Sequence, residues 1–159
     1  MNRWHVLLGL AALYAGGWGV KAVTLNLRYF KPSEFGASLP LLNPALLEKL
    51  DEFRHRLGSR VIISPAPGSL IRPAGDNESQ HVYGRAADVM IPDTTLVQAY
   101  SVAREVGFTG IGVYPHWKPY KGLHLDVRPD RQPGSPAQWA GLKGPDGKQF
   151  YTSVERGLA

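Results

Sequence analysis

Two capped amphipathic helices and four short strand-like runs predict an α+β fold, a small and mainly antiparallel sheet with flanking helices. Two observations carry that expectation. The order is helix, strand, strand, helix, strand, strand, and most of the links between neighbouring runs are short enough for hairpins. A third observation, a weakly apolar stretch at the amino terminus, places a hydrophobic helix ahead of the domain.

Met1-Asn2-Arg3 is a short basic lead, and Trp4 to Val20 then carries no formal charge before Lys21. As a helix those residues reach only ~25 Å at ~1.5 Å per residue, and continuing through a snorkelling Lys21 to Leu25 extends the reach. Residues 1–25 therefore read as a signal-anchor or transmembrane segment, and 29–159 as one domain. Ala11-Ala12 and Ala15 fall too early for a signal-peptidase site, so a permanent or releasable anchor is preferred to a cleaved signal. Gly9, Ala11, Ala12, Ala15, Gly16, Gly17 and Gly19 would hold it loosely in a bilayer.

Pro44 to Gly58 is the first helix, with Asn43 as N-cap, Pro44 at the first position, Gly58 as terminator and a stripe of Leu46, Leu47, Leu50, Phe53 and Leu57. Val61 to Ile63 is a strand, Ser64 to Gln80 a loop rich in Pro and Gly, and Ala86 to Ile91 a strand with apolar residues on both faces. Thr94 to Gly107 is the second helix, capped by Asp93 or Thr94. Gly110 to Tyr114 and Leu123 to Val127 are strands; beyond Pro129 the chain reads as loop, with a fraying end at 154–158.

Of the 159 residues, 18 are Lys or Arg and 13 Asp or Glu, a formal charge of +5. The basic residues are scattered, without a basic arm or nucleic-acid motif, so no nucleic-acid partner is expected. An anionic surface such as peptidoglycan or lipid would attract that charge. No cysteine is present, which excludes disulfides, thiolate ligands and thiol nucleophiles.

Chemistry concentrates in Ser79-Gln80-His81-Val82-Tyr83-Gly84-Arg85-Ala86-Ala87-Asp88 and Gly122-Leu123-His124-Leu125-Asp126-Val127-Arg128. An acid inside the apolar run Ala86–Ile91 needs a partner, because a buried lone carboxylate costs several kcal/mol. Leu123, Leu125 and Val127 alternate with His124, Asp126 and Arg128, which gives that strand an apolar back and a chemical front. Imidazole and carboxylate suit zinc, and His81, Asp88 and His124 supply the three ligands of a catalytic site.

The pattern Ser-x-His-x-x-Gly-x-Ala-x-Asp, then Gly110-x-Gly112-x-Tyr114, then His124-x-Asp126-x-Arg128, resembles the zinc D-alanyl-D-alanine carboxypeptidase family. Tyr29-Phe30-Lys31-Pro32-Ser33-Glu34-Phe35 is similar to its opening segment, and Trp139 to a tryptophan that follows its last strand. That family includes phage endolysins, and its fold is shared with the hedgehog signalling domain. The resemblance implies a zinc ion on His81, Asp88 and His124 and hydrolysis of peptide bonds in peptidoglycan stem peptides or cross-links. Some relatives place a catalytic carboxylate three residues before the last ligand, where this chain has Lys121; Asp126 is then the first candidate for general base and His116 the second, with Asp126 also open as a ligand in place of His124. Arg72 is the candidate for steadying a developing oxyanion. The amino-terminal segment resembles the signal-anchor-release segments of some endolysins, which implies a membrane-anchored enzyme acting outside the cytoplasmic membrane. A catalytically inactive zinc module of the same fold is the alternative.

Overall fold

The computed structural model describes residues 10–12, 23–75 and 79–159. Its centre is a six-stranded mixed sheet of β3 (Ile62–Ile63), β4 (Ala86–Met90), β5 (Gly110–Tyr114), β6 (Gly122–Asp126), β7 (Ala137–Lys143) and β8 (Gln149–Thr152), in the spatial order β3-β4-β6-β5-β7-β8. Neighbours are antiparallel except β5 and β7, which run parallel. The expected α+β class holds, and the sheet is larger and more mixed than the local signals indicated.

Two helices cover its apolar face. α1 (Pro44–Leu57) begins where the Asn43 side chain accepts from the Ala45 N–H at 2.9 Å, and ends on Gly58 in the left-handed region at φ 63°. Its stripe of Leu46, Leu47, Leu50, Phe53 and Leu57 is buried as the spacing requires. α2 (Leu96–Val106) is capped by Thr95, whose hydroxyl accepts from the Gln98 N–H at 3.1 Å, rather than by Asp93 or Thr94. Phe53 and Phe108 meet edge to face, with ring centroids 6.1 Å apart, and Ile111, Leu123 and Leu125 close the core from the sheet side.

Two further expectations need correction. The segment after Pro129 is not a loop: it forms the β7–β8 hairpin and α3 (Val154–Leu158), and Val154 and Gly157 are buried. Pro and Gly punctuation hid those strands, yet Gly144-Pro145-Asp146-Gly147 is itself a turn signal, and the Gly147 N–H donates to the Gly144 carbonyl at 2.9 Å. The anticipated amino-terminal helix falls mostly outside the described residues; the parts that are described, β1 (Leu10–Ala12) and β2 (Val23–Leu25), pair as antiparallel strands. Among the described residues no helix is long and apolar enough to cross a membrane.

Candidate metal centre

The neighbouring strands β4 and β6 set Asp88 directly opposite His124. His81 arrives from a short 3-10 turn, Gln80–Tyr83, that ends on Gly84 at φ 63°. A Cβ at Gly84 would stand 2.1 Å from the Leu41 carbonyl oxygen, so both its conformation and its surroundings demand glycine. The turn delivers a fully buried imidazole to the edge of β4.

The three side chains converge. His124 Nδ1 lies 3.0 Å and His81 Nε2 3.3 Å from the same Asp88 oxygen, and the two ring nitrogens are 3.2 Å apart. One ligand atom from each residue lies within 4.8 Å of the others. The outer nitrogens set the tautomers: His81 Nδ1 is 3.3 Å from the Leu70 carbonyl, which can only accept, and His124 Nε2 is 2.9 Å from an Asp126 oxygen. With protons on those outer nitrogens, two lone pairs and a carboxylate oxygen point at one spot, an arrangement that calls for a cation. Two imidazole nitrogens and one carboxylate oxygen fit zinc.

Asp126 stands behind His124 rather than in the cleft. It is fully buried, accepts from His124, and receives Arg128 through Nη2 at 2.6 Å and Nε at 2.9 Å and through the Arg128 backbone N–H at 3.1 Å. Burial alone would raise its pKa, but the bonds from His124 and Arg128 win and hold it near about 2. Asp88 behaves alike: burial opposes the charge, the two histidines outweigh it, and its pKa falls to about 2. Burial works against a charged His124, while its bonds to Asp126 and Asp88 raise its pKa.

The glycines of the Gly-x-Gly-x-Tyr motif make room for this arrangement. A Cβ on Gly110 would lie 2.2 Å from the Asp126 carboxylate, and one on Gly112 would lie 2.6 Å from the Trp139 indole. Trp139 in turn packs beside His124 at a centroid separation of 5.2 Å and donates from Nε1 to the Tyr114 hydroxyl at 3.0 Å. Burial raises the Tyr114 pKa above the usual phenol value, so this hydroxyl stays protonated.

A cleft of about 710 Å³ opens over His81, Asp88 and His124. Arg72 reaches it from the long loop, with Nη2 3.7 Å from Asp88, and His116 lines it from the β5–β6 connection. Lys121 and Asp126 are not part of the lining. The sequence reading gave no role to Lys143, Gln149 and Tyr151, which line the cleft from the hairpin it took for loop; its turn motif was the signal that could have revealed them.

A family model described as Peptidase M15 matches residues 29–126, from the opening Tyr29 segment to the end of β6. Neither the curated proteins nor the solved structures gave a match. The matched span contains all three converging side chains and covers well over half of the 159 residues, and on that ground the chain belongs to the Peptidase M15 family.

Proposed function

We propose that this protein is a zinc-dependent peptidase that hydrolyses peptide bonds in peptidoglycan stem peptides or cross-links. The observation that carries the reading is the convergence of His81 Nε2, His124 Nδ1 and an Asp88 oxygen at the floor of a peptide-sized cleft in a Peptidase M15 chain. A zinc ion held there supplies a Lewis acid for the scissile carbonyl and acidifies water.

The protein's own groups divide the remaining work. Gln80 lines the cleft, and its buried Oε1 accepts no hydrogen bond among the described residues. Arg72 offers a guanidinium beside Asp88, placed for charge that develops on the carbonyl oxygen. His116 accepts the Lys143 backbone N–H at Nδ1, 3.0 Å away, so its neutral ring carries a proton on Nε2. That makes it a donor toward an oxyanion or a leaving amine rather than a base.

Asp126 takes a different role from the one its spacing suggested. Both its oxygens are committed to His124 and Arg128, so it orients a ligand and raises that ligand's basicity. Among the described residues the cleft then holds no carboxylate except Asp88. This favours a second reading, a zinc-binding module without turnover, which digestion of purified peptidoglycan followed by mass spectrometry of the products separates from the first. The zinc-loaded chain is expected to release peptide fragments; His81→Ala should lose the metal and the activity together. Binding of one zinc per chain without any cleavage would leave the module reading, and no zinc uptake would defeat both.

The amino-terminal segment is read as an anchor that holds the enzyme at the cytoplasmic membrane on its outer side. Fractionation of producing cells tests it: full-length chain in both membrane and periplasmic fractions supports release, full-length chain only in membranes a permanent anchor, and a shortened soluble chain signal cleavage. Full-length chain confined to the cytoplasm would overturn the reading.

A further inference from the structure

The charge in the cleft is one-sided. Among the described residues Arg72, Lys118, Arg128 and Lys143 line it, against the single carboxylate of Asp88. Two of those cations are engaged: Arg128 is bound to Asp126 at 2.6 Å, and Arg72 stands 3.7 Å from Asp88. Lys118 and Lys143 have no ionic partner among the described residues. Both are exposed, and they belong to one wall, because the Lys143 backbone N–H donates to His116, two residues before Lys118. Lys143 lies on β7, beyond residue 126 where the family match ends, and Lys118 lies within the matched span.

Two unpaired ammonium groups beside a peptide cleft repel a cationic substrate and attract an anionic one. We propose that Lys118 and Lys143 form a carboxylate-binding subsite that makes this enzyme selective for acidic peptides. The proposal rests on the peptidase reading for its substrate, and on the charge of the wall for its selectivity. Among anionic groups the carboxylate is the one a peptide itself carries, at its C-terminus and on acidic side chains. Lysine contributes here as a point charge, so the contact tolerates several carboxylate positions along a peptide.

The test uses zinc-loaded full-length protein and stem peptides released from purified peptidoglycan, either as free acids or with their carboxylates converted to amides. Wild type should show a KM roughly fivefold lower for the free acids, the size expected of two partly exposed charge pairs, and that advantage should shrink in high salt. Lys118→Gln with Lys143→Gln should remove the difference with little change in kcat on the amidated peptides. The Lys143 substitution keeps the backbone N–H that holds His116, so the site itself stays intact. Amidation also alters carboxylates close to the scissile bond, and the four-way comparison of two proteins with two substrates isolates the lysine contribution. Titration of the Lys143 backbone amide by NMR with the same peptides supplies a readout that does not need turnover. A shift with free acids alone, without cleavage, supports the subsite and defeats the peptidase reading. Cleavage with equal KM for both pools, or discrimination that survives in the double variant, overturns the subsite and leaves the peptidase reading standing. A larger amide shift with inorganic phosphate than with the free acids overturns it as well.

Discussion

Asp126 and His124 share a strand face, and the two-residue spacing alone left two roles open for the acid, base or ligand. Burial and partners favour a third, support of the ligand His124. The carboxylate is enclosed, receives the His124 Nε2–H at 2.9 Å, and is itself clamped by Arg128, so removing its charge acts on the ligand and only through it on the reaction. Asp126→Asn is expected to weaken zinc binding by ~10–100-fold, the usual cost of losing such a partner, and saturating zinc should restore most of the turnover. A competition titration against a chelator measures the first effect and kcat at high zinc the second; unchanged affinity with collapsed kcat would return Asp126 to the role of base. The ligand triad was legible because His81, Asp88 and His124 each sit in a local pattern, a turn or a strand whose period fixes the direction of the side chain. Arg128 was legible as a neighbour of a carboxylate but not as its clamp. The lysines and Tyr151 were not legible, because their place at the cleft depends on strand pairing between distant segments, which no local period encodes.

At the scale of elements, the helices were legible from caps and stripes, and the four strands of the matched region from β-rich runs. The β7–β8 hairpin was not, since Gly141, Gly144 and Gly147 break its pattern and its burial does not alternate: Ala140 and Gly141 are buried side by side, and Gln149, Phe150 and Tyr151 are all exposed. One glycine of that hairpin is required by packing rather than by a turn: a Cβ on Gly141 would lie 2.3 Å from the Tyr114 ring. A further tie of α1 lies outside its apolar stripe, because it is made by a polar residue. Asp51 is buried on that helix and accepts the backbone N–H groups of Arg28, Tyr29 and Phe30 at 2.9, 2.8 and 2.8 Å, fastening the chain that opens the matched region. Arg54, one turn along, donates to the Tyr29 carbonyl and pairs with Glu34 at 2.8 Å. Asp51→Ala would leave three donors without their acceptor, and bonds to a charged group contribute ~1.5–3 kcal/mol each before water recovers part of the loss. A destabilisation of about 3 kcal/mol in urea unfolding is therefore expected, with Asp51→Asn intermediate. A loss below about 0.5 kcal/mol, the scale of an ordinary surface substitution, would mean that this segment is held by Phe30 and Phe35 packing alone.

For the molecule as a whole, the centre couples fold, metal and pH, and the signs can be worked out. Asp88 and Asp126 have folded pKa values lowered to about 2, so they contribute stability that is present above the ordinary aspartate value of ~3.9 and is lost as pH falls from there through the folded value. His124 has its folded pKa raised, so its contribution is complete below the ordinary histidine value of ~6.5 and is lost as pH rises through the folded value. The metal-free protein should therefore be most stable in mild acid, between about pH 4 and pH 6.5. Zinc reverses the upper half of that profile, because it must take the His124 Nδ1 position in place of a proton and binding then grows stronger as pH rises. At a free zinc concentration of ~100 times the dissociation constant the gain is about 2.7 kcal/mol, and the same zinc concentration gives less in acid, where the proton competes. Thermal melts of the full chain with and without zinc, taken from roughly pH 5 to pH 8, should show the zinc-induced rise in Tm increasing steadily with pH. A zinc shift that is independent of pH would place the ion on groups other than His81 and His124, and metal-free melts that lose nothing toward pH 8 would remove His124 from the account of the apo fold, because both outcomes require the raised proton affinity of that ring to be absent.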